Sequence, residues 1–463
     1  MNISDLTNSN AHKSPDHSTE YGLRGRILKG SILAVVSFGG RDFLRLASNL
    51  ILTRLLFPEA FGLMAIVQTI ITGLNLFSDL GTQPAIVRSD RGDEPDFLNT
   101  AWTMQCTRGL GIGVVLWAVA PYIASFYGEP QLASLLPVAA LAPILAGFNS
   151  TKIATAGRHL QFGRLTVIEL STQIISLTIM AILAWALQSV WALLIGSLVQ
   201  TTLFLTASHL FLRGSRNRFH ISRTALSELF NFGKYIFIST IAGFFLAFAD
   251  RAILGKLVPL DIFALYIIGT LFASFPSALS DDLVRRIMLP LYKKRPPSES
   301  QGNRNKVGKV RWGISLLLVS AAGFLAITGD ILVKFLYDVR YETAGAILVL
   351  VAIGSMPTII FKSYTRLPVA AGHSGRFAFL QVVLASTQVF ILVLMINAAG
   401  IAGATLAPGI SALLTYPFLI WIVRQYRGLD FKHDAIMLTI AGVFAYCAIL
   451  LNYEALIELW SFQ

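Results

Sequence analysis

Four arginines stand inside apolar stretches of this chain. Arg41 and Arg45 lie in "SFGGRDFLRLASN", Arg108 in "MQCTRGLGIG" and Arg251 in "FFLAFADRAILG". A charge at the centre of a bilayer costs about 2.5–3.5 kcal/mol on insertion scales, so it faces a cavity or a partner. Arg41 and Arg45 are spaced i, i+4 and project from one helix face. Their two guanidinium forks suit a diphosphate. Asp42 follows Arg41 directly and points elsewhere, so it does not neutralise the pair along its own helix. Pairing with an acid on another helix, or snorkelling toward the aqueous edge, is the competing reading. Arg108 falls about ten residues into its helix, and the glycines after it permit close packing or a bend. Cavity lining is expected for Arg41, Arg45, Arg108 and Arg251, with structural pairing as the alternative.

The acids near these stretches are candidates for gating or coupling: Asp42, Asp79, Asp250, Asp281 and Asp282, with Arg285 beside them. Asp79 in "LFSDLG" suits a turn as well as a transport role. Asp250 and Arg251 suit a cavity face or a gating salt bridge. Asp281, Asp282, Arg285 and Arg286 are spaced i, i+3 and i, i+4, an ion-pair cluster at the water interface. Glu169 reads as a first-turn carboxylate favoured by the helix dipole. Lys362, Arg366 and Arg376 read as anchors at a membrane face, and Pro357 and Pro368 as helix bends or ends.

The elements that position these side chains must be membrane helices. The chain has 463 residues, is 55% hydrophobic and only 13% charged, and has a mean hydropathy of +0.66. Soluble domains carry about 25% charged residues. The first 22 residues are polar and lack the apolar core and small-residue cleavage site of a signal peptide; they read as a disordered tail. Cys106 and Cys447 read as packing residues.

A helix needs about 20 apolar residues to cross the bilayer. The spans expected are 31–55, 61–86, 100–124, 132–151, 165–187, 190–212, 232–256, 262–284, 312–333, 344–361, 377–397, 401–423 and 434–452. With the N-terminus placed in the cytoplasm, 29 of the 37 Lys and Arg fall on the cytoplasmic side, four on the other side and four inside spans. That asymmetry fits the positive-inside rule. It accounts for the net charge of +12 without nucleic acid. Segment 290–311, "PLYKKRPPSESQGNRNKVGKVR", reads as a solvated cytoplasmic linker beside anionic headgroups.

"LTRLLFPEAFGLM" (52–64) is echoed 202 residues later by "LGKLVPLDIFALY" (254–266), with Leu52, Leu55, Phe61 and Leu63 meeting Leu254, Leu257, Phe263 and Leu265. Each copy spans a helix end, a tight turn and a helix start. Six helices separate them, so both run the same way through the membrane. An all-α polytopic protein is expected, with two parallel-repeat six-helix lobes around a central cavity and about one extra C-terminal helix. The boundaries expected are a tail 1–24, an N-terminal lobe 25–213, a cytoplasmic linker 214–231, a C-terminal lobe 232–424, and an extra helix and tail 425–463.

The chain also resembles the oligosaccharide and polysaccharide flippases of the multidrug, oligosaccharide-lipid and polysaccharide exporter superfamily. The resemblance rests on "RLLFPEAFGL", on "FSDLG" before an apolar run and a basic loop, on "LSELFNFGKYIF" and on "LVRRIMLPLYKKR", and covers residues 25 to about 425. It implies two six-helix lobes, alternating access and a polyprenyl-diphosphate-linked oligosaccharide as cargo. Many relatives of this type carry fourteen helices; thirteen are read here.

No Walker loop, metal-ligand spacing or nucleophile motif is present. No cofactor, catalytic residue, metal or nucleic-acid partner is expected. The reading is a flippase in the bacterial inner membrane, a monomer among membrane lipids, with a polysaccharide polymerase and export machinery as candidate partners. The alternatives are a cation or drug antiporter, whose site should be acidic, a membrane-embedded polymerase, and a passive scaffold. The orientation has a direct test. A reporter active only outside the cytoplasm should be active when fused after Glu129 and silent after Arg295; the opposite pattern inverts the topology.

Overall fold

The computed structural model describes residues 40–461 apart from 41, 42 and 160. Among the described residues the regular structure is entirely helical. Helix α1 (43–55) turns into α2 (Pro58–Phe77), which breaks before α3 (Thr82–Arg88). Then follow α4 (Pro95–Tyr127), α5 (Leu132–Ala139), α6 (Leu141–Gly147), α7 (Lys152–Arg158), α8 (Phe162–Leu187) and α9 (Val190–Leu210). The second half contains α10 (Arg223–Leu257), α11 (Leu260–Ala273), α12 (Phe275–Leu283), α13 (Leu289–Lys294), α14 (Gln301–Leu336), α15 (Thr343–Lys362), α16 (Leu367–Ala370) and α17 (Ser374–Val423). Helices α18 (Phe431–Leu451) and α19 (Tyr453–Ser461) end the chain.

Each expected span holds helix in its described part. Among the described residues eight helices are long and apolar enough to cross a membrane, and two pairs bent by 52° and 46° raise this to ten. Helix α17 covers two expected spans, because Ala399 and Gly400 leave helical geometry between them, with Gly400 at φ +48°. Only glycine adopts that region without a steric penalty, so the chain reverses there. The protein is a multi-pass membrane protein of two lobes, α1–α9 and α10–α17, with α18 added to the second. Helix α18 packs on α14: Asn452 Nδ2 donates to the Ile327 carbonyl at 3.1 Å.

The two copies of the repeat face each other across the seam, where α2 packs against α10 and α11. A Cβ on Gly62 would lie 2.7 Å from the Leu260 carbonyl oxygen. Leu56, Leu63, Leu254 and Phe263 are buried around this approach. Further along, Phe244 stacks with Phe248 at 5.7 Å and meets Phe77 of α2 edge-on at 4.8 Å.

Several local expectations change. Helix α10 starts at Arg223, inside the expected linker 214–231, and the preceding segment is pinned: the Arg218 backbone N–H donates to Asn99 Oδ1 at 2.9 Å and that of His220 to Thr103 Oγ1 at 3.0 Å. The start of α10 joins a small core with Ile86, Phe97, Leu98, Ala101 and Ala154 of the first lobe, through Ala225 and Leu229. The expected linker 290–311 is mostly helical, since α14 begins at Gln301, capped by Ser300 Oγ accepting from Asn303 N–H. Helix α15 runs through Pro357. Pro368 instead lies in the first turn of α16, where its missing N–H costs nothing. Glu169 sits two turns inside α8 rather than in its first turn.

Gly62→Leu should force the lobes apart at the seam. We expect a loss of about 1–3 kcal/mol, as for overpacked cores, read as a lower melting temperature; an unchanged melting temperature would show that the seam yields.

Candidate functional site

Among the described residues, Arg108 and Arg251 do not share one cluster. Arg41 and Asp42 lie outside the described residues. Arg45 is exposed on α1 and makes a contact of its own. Arg108 projects from α4 to the break between α2 and α3, where Nη1 lies 3.4 Å from both Asp79 Oδ1 and the Asn75 carbonyl. Asp79 also accepts the Gly81 backbone N–H at 2.9 Å, so it closes the turn as well as meeting the arginine. The glycine after Arg108 serves close packing: a Cβ on Gly109 would lie 2.5 Å from the Pro143 carbonyl oxygen, and α4 continues unbroken.

Asp250 and Arg251 form no salt bridge with each other among the described residues. Asp250 Oδ2 accepts from Tyr266 Oη at 2.5 Å, within the same lobe. Arg251 lies over the Phe248 ring at 5.4 Å, and its Nε is buried with no acceptor. Arg251 is seven residues beyond Phe244, about 10 Å of helix rise, whereas Arg108 meets α2 at its far end. The two arginines thus sit at different depths along the seam.

The short-loop end of the molecule carries a latch between the lobes that the sequence reading missed. Tyr337 Oη donates to Asn49 Oδ1 at 2.7 Å, Arg340 Nη2 to the Thr53 carbonyl at 3.1 Å, and Tyr341 Oη to the Leu56 carbonyl at 3.1 Å. Tyr127 Oη donates to the Ala252 carbonyl at 3.3 Å beside them. Arg340 is oriented by Asp338, which it meets at 2.6 Å. The one sequence signal was "KFLYDVRYETA", the longest loop at that end.

At the opposite, basic end each lobe has ion pairs of its own, and the start of α10 joins the two. In the first, Arg158 Nε lies 2.9 Å and His159 Nε2 2.8 Å from Asp93, and these partners hold the Asp93 carboxyl below its usual range. Helix α10 joins this end of the first lobe, with Ser89 Oγ donating to Glu228 Oε1 at 2.5 Å. In the second lobe, Asp282 pairs with Arg285 at 2.5 Å and Arg286 at 3.2 Å, as their spacing predicts. Asp281 pairs with Lys362 instead, at 2.6 Å. Lys362 therefore ties α12 to α15 rather than anchoring alone. Arg366 lies over the Phe377 ring at 4.8 Å, and Arg376 donates to Gln425.

A second missed feature is the polar network beneath this end. Arg311, counted as a cytoplasmic cation, is 1% exposed. Its Nη2 donates to Tyr292 Oη at 3.1 Å, and its guanidinium stacks 4.1 Å from the centre of the Tyr364 ring. Asp434 accepts from Tyr364 at 2.7 Å and Tyr416 at 2.6 Å, with His433 Nδ1 2.8 Å away. No group of His, Cys, Asp and Glu suited to a metal occurs among the described residues.

Residues 51–346 match a family model described as polysaccharide biosynthesis protein. The chain belongs to that family. It is similar to the teichuronic acid biosynthesis protein TuaB of Bacillus subtilis (strain 168), 21% identical over 47% of this chain and 45% of that one. It is similar to the succinoglycan biosynthesis transport protein ExoT of Rhizobium meliloti (strain 1021), at 23% over 56% and 52%. It is also similar to the lipopolysaccharide biosynthesis protein WzxC of Escherichia coli (strain K12), at 22% over 58% and 54%. The matched region spans about half the length of each of these curated relatives. Among solved structures, the lipid II flippase MurJ in an inward closed conformation superimposes with a TM-score of 0.69, covering 94% of this chain and 98% of that one at 12% identity. An inward-facing multidrug resistance MATE family transporter gives 0.59, covering 84% and 96% at 14% identity. At these identities the likeness establishes the fold.

The latch is testable. Replacing Tyr337 and Tyr341 with Phe removes two hydrogen bonds of about 1 kcal/mol each, enough to shift a two-state seam by roughly tenfold or more. In a background with Cys106 and Cys447 changed to Ser, labelling of Ala60→Cys by a membrane-impermeant maleimide should accelerate correspondingly. An unchanged rate would mean that the latch does not hold this end closed.

Proposed function

We propose that the protein is a flippase that moves a polyprenyl-diphosphate-linked oligosaccharide across the bacterial inner membrane by alternating access, with its basic end and N-terminus in the cytoplasm. The reading rests on the family match over residues 51–346. It is supported by its likeness to a succinoglycan biosynthesis transport protein in sequence and to a lipid II flippase in fold. The arrangement of the seam fits it. Lobes hydrogen-bonded at the short-loop end through Tyr337, Arg340 and Tyr341 suit a transporter closed toward the outside, whose latch must open for release.

Within this reading Arg251 is the group that meets the cargo's diphosphate. It stands beside the seam, and its Nε has no acceptor. Arg108 is compensated by Asp79 and acts through the α2–α3 break. Arg41 and Arg45 are candidates for the same site. Asp250, held by Tyr266, is a candidate coupling group, and Asp281, Asp282 and Arg285 would brace the inner end of the second lobe. The cargo's prenyl chain would stay in lipid. The polysaccharide polymerase and export machinery are the natural partners of a monomeric flippase, which itself performs no covalent chemistry.

A cation antiporter fits less well. It requires an acidic site, whereas Asp79 and Asp250 are both engaged and Arg251 lies at the seam. In a strain deleted for the gene, the complete lipid-linked oligosaccharide should accumulate on the cytoplasmic face of the membrane. Arg251→Ala should restore export poorly, at least about tenfold below wild type, as expected for loss of one charge-assisted contact. Accumulation of unpolymerised units on the outer face would instead place the protein after translocation. Full export by Arg251→Ala would remove Arg251 from the site.

A further inference from the structure

Between the start of α14 and the turn joining α17 to α18 lies a cleft of about 620 Å³, within the size range of small-molecule sites. Its walls carry Arg304, Lys309, Arg311 and Arg427 against one acid, Asp430. That acid is already engaged, since Oδ1 accepts the His433 backbone N–H at 3.0 Å and caps α18. Arg304 is fixed locally, with Nε donating to Gln301 Oε1 at 2.8 Å and Nη1 to the Pro297 carbonyl at 3.2 Å. Lys309 and Arg427 are exposed at the rim and meet no carboxylate among the described residues.

The floor of the cleft is the decisive part. Arg311 is 1% exposed, its guanidinium lies against Tyr364 and Tyr292, and its Nε has no acceptor. No carboxylate lies within ion-pair distance of it among the described residues; Asp434 stands behind Tyr364, whose hydroxyl it accepts from, and acts on the guanidinium from there. A guanidinium carries five N–H donors. A buried guanidinium with a donor unmet and no carboxylate in direct contact is a place where a further acceptor is favourable. The backbone at the rim points the same way. Arg427 has φ +51°, at a helix end where glycine is the usual residue. Gly428 follows directly, yet the left-handed position is given to an arginine. Trp312 also lines the cleft and meets the His433 ring edge-on at 5.1 Å. Tryptophan in such a place is characteristic of the level of lipid headgroups.

We propose that this cleft binds a phosphate-bearing anion, with Arg311 at its floor and Lys309 and Arg427 closing over it. The ligand would tie α14 to the α17–α18 turn, within the second lobe and away from the seam. The phosphate belongs either to the headgroup of an anionic phospholipid, for which basic pockets at the cytoplasmic ends of membrane helices are suited, or to a soluble phosphate. The proposal is independent of the cargo and of the flippase reading.

The test uses the purified full-length protein in neutral detergent at low salt, where exposed charges are least screened. Melting temperature is followed against short-chain phosphatidylglycerol, short-chain phosphatidylcholine of the same acyl length, and inorganic phosphate matched in ionic strength with chloride. A ligand that binds the folded state raises the midpoint with its concentration. Phosphatidylglycerol should raise the midpoint of the wild type where phosphatidylcholine does not. Lys309→Gln combined with Arg427→Gln, both exposed positions, should need at least about tenfold more ligand for the same shift. A shift with phosphatidylglycerol alone assigns the phosphate to a headgroup; a shift with inorganic phosphate as well assigns it to a soluble ligand. The proposal fails if neither phosphate compound shifts the midpoint, if phosphatidylcholine acts equally, or if the double variant responds as the wild type does.

Discussion

The Leu260 carbonyl of α11 occupies the space that a side chain on residue 62 of α2 would need. This backbone approach brings the two repeats together, because only a residue without Cβ lets α2 come so close. Once they meet, Leu56 and Leu63 from one copy and Leu254 and Phe263 from the other are buried in a shared core. The latch residues Tyr337, Arg340 and Tyr341 then reach the carbonyls of Thr53 and Leu56 and the side chain of Asn49. The seam's aromatic cluster, with Phe77 against Phe244, extends the contact along α2 and α10.

Helix α10 complicates the division into lobes. Its first turns pack into the first lobe beside Ile86, Phe97 and Ala154, and its middle runs along α2. Its body packs on α17, where Gln388 Nε2 donates to the Leu246 carbonyl at 3.0 Å. Any rocking of one lobe on the other is therefore transmitted along a continuous helix of 35 residues. Hydrogen-bonded backbone makes that helix stiff in the apolar phase, since no water is present to satisfy a broken turn.

Arg108 and Arg311 hold their charges in two different ways, the first half-buried and the second fully buried. Arg108 meets a carboxylate, Asp79, at a helix break. Arg311 meets no carboxylate directly and is set among tyrosines, whose rings offer a negative face and whose hydroxyls carry the contact on to Asp434. In low dielectric both arrangements are strong when complete and costly when incomplete. The Nε atoms of Arg251 and Arg311 are both buried without an acceptor.

Composition and periodicity alone determined that this is a polytopic helical membrane protein. A crossing helix must satisfy its backbone internally and show about 20 apolar residues to lipid, and both demands are local. The repeat of 52–64 at 254–266 revealed the two-lobe plan, because a tight turn and its flanking apolar residues are also local. The i, i+3 and i, i+4 pairs of Asp282 with Arg285 and Arg286 were legible for the same reason. Tertiary structure decided which polar groups meet across the chain. Asp79 with Arg108, Asp281 with Lys362, and Tyr341 with Leu56 are separated by 29, 81 and 285 residues. Nothing within a helical turn encodes such separations. Arg311 was read as one more surface cation because it stands in a run of polar and basic residues. Only the packing of α13, α15 and α18 around it turned that position into the interior, and packing depends on the partners that surround a residue rather than on its neighbours in the chain.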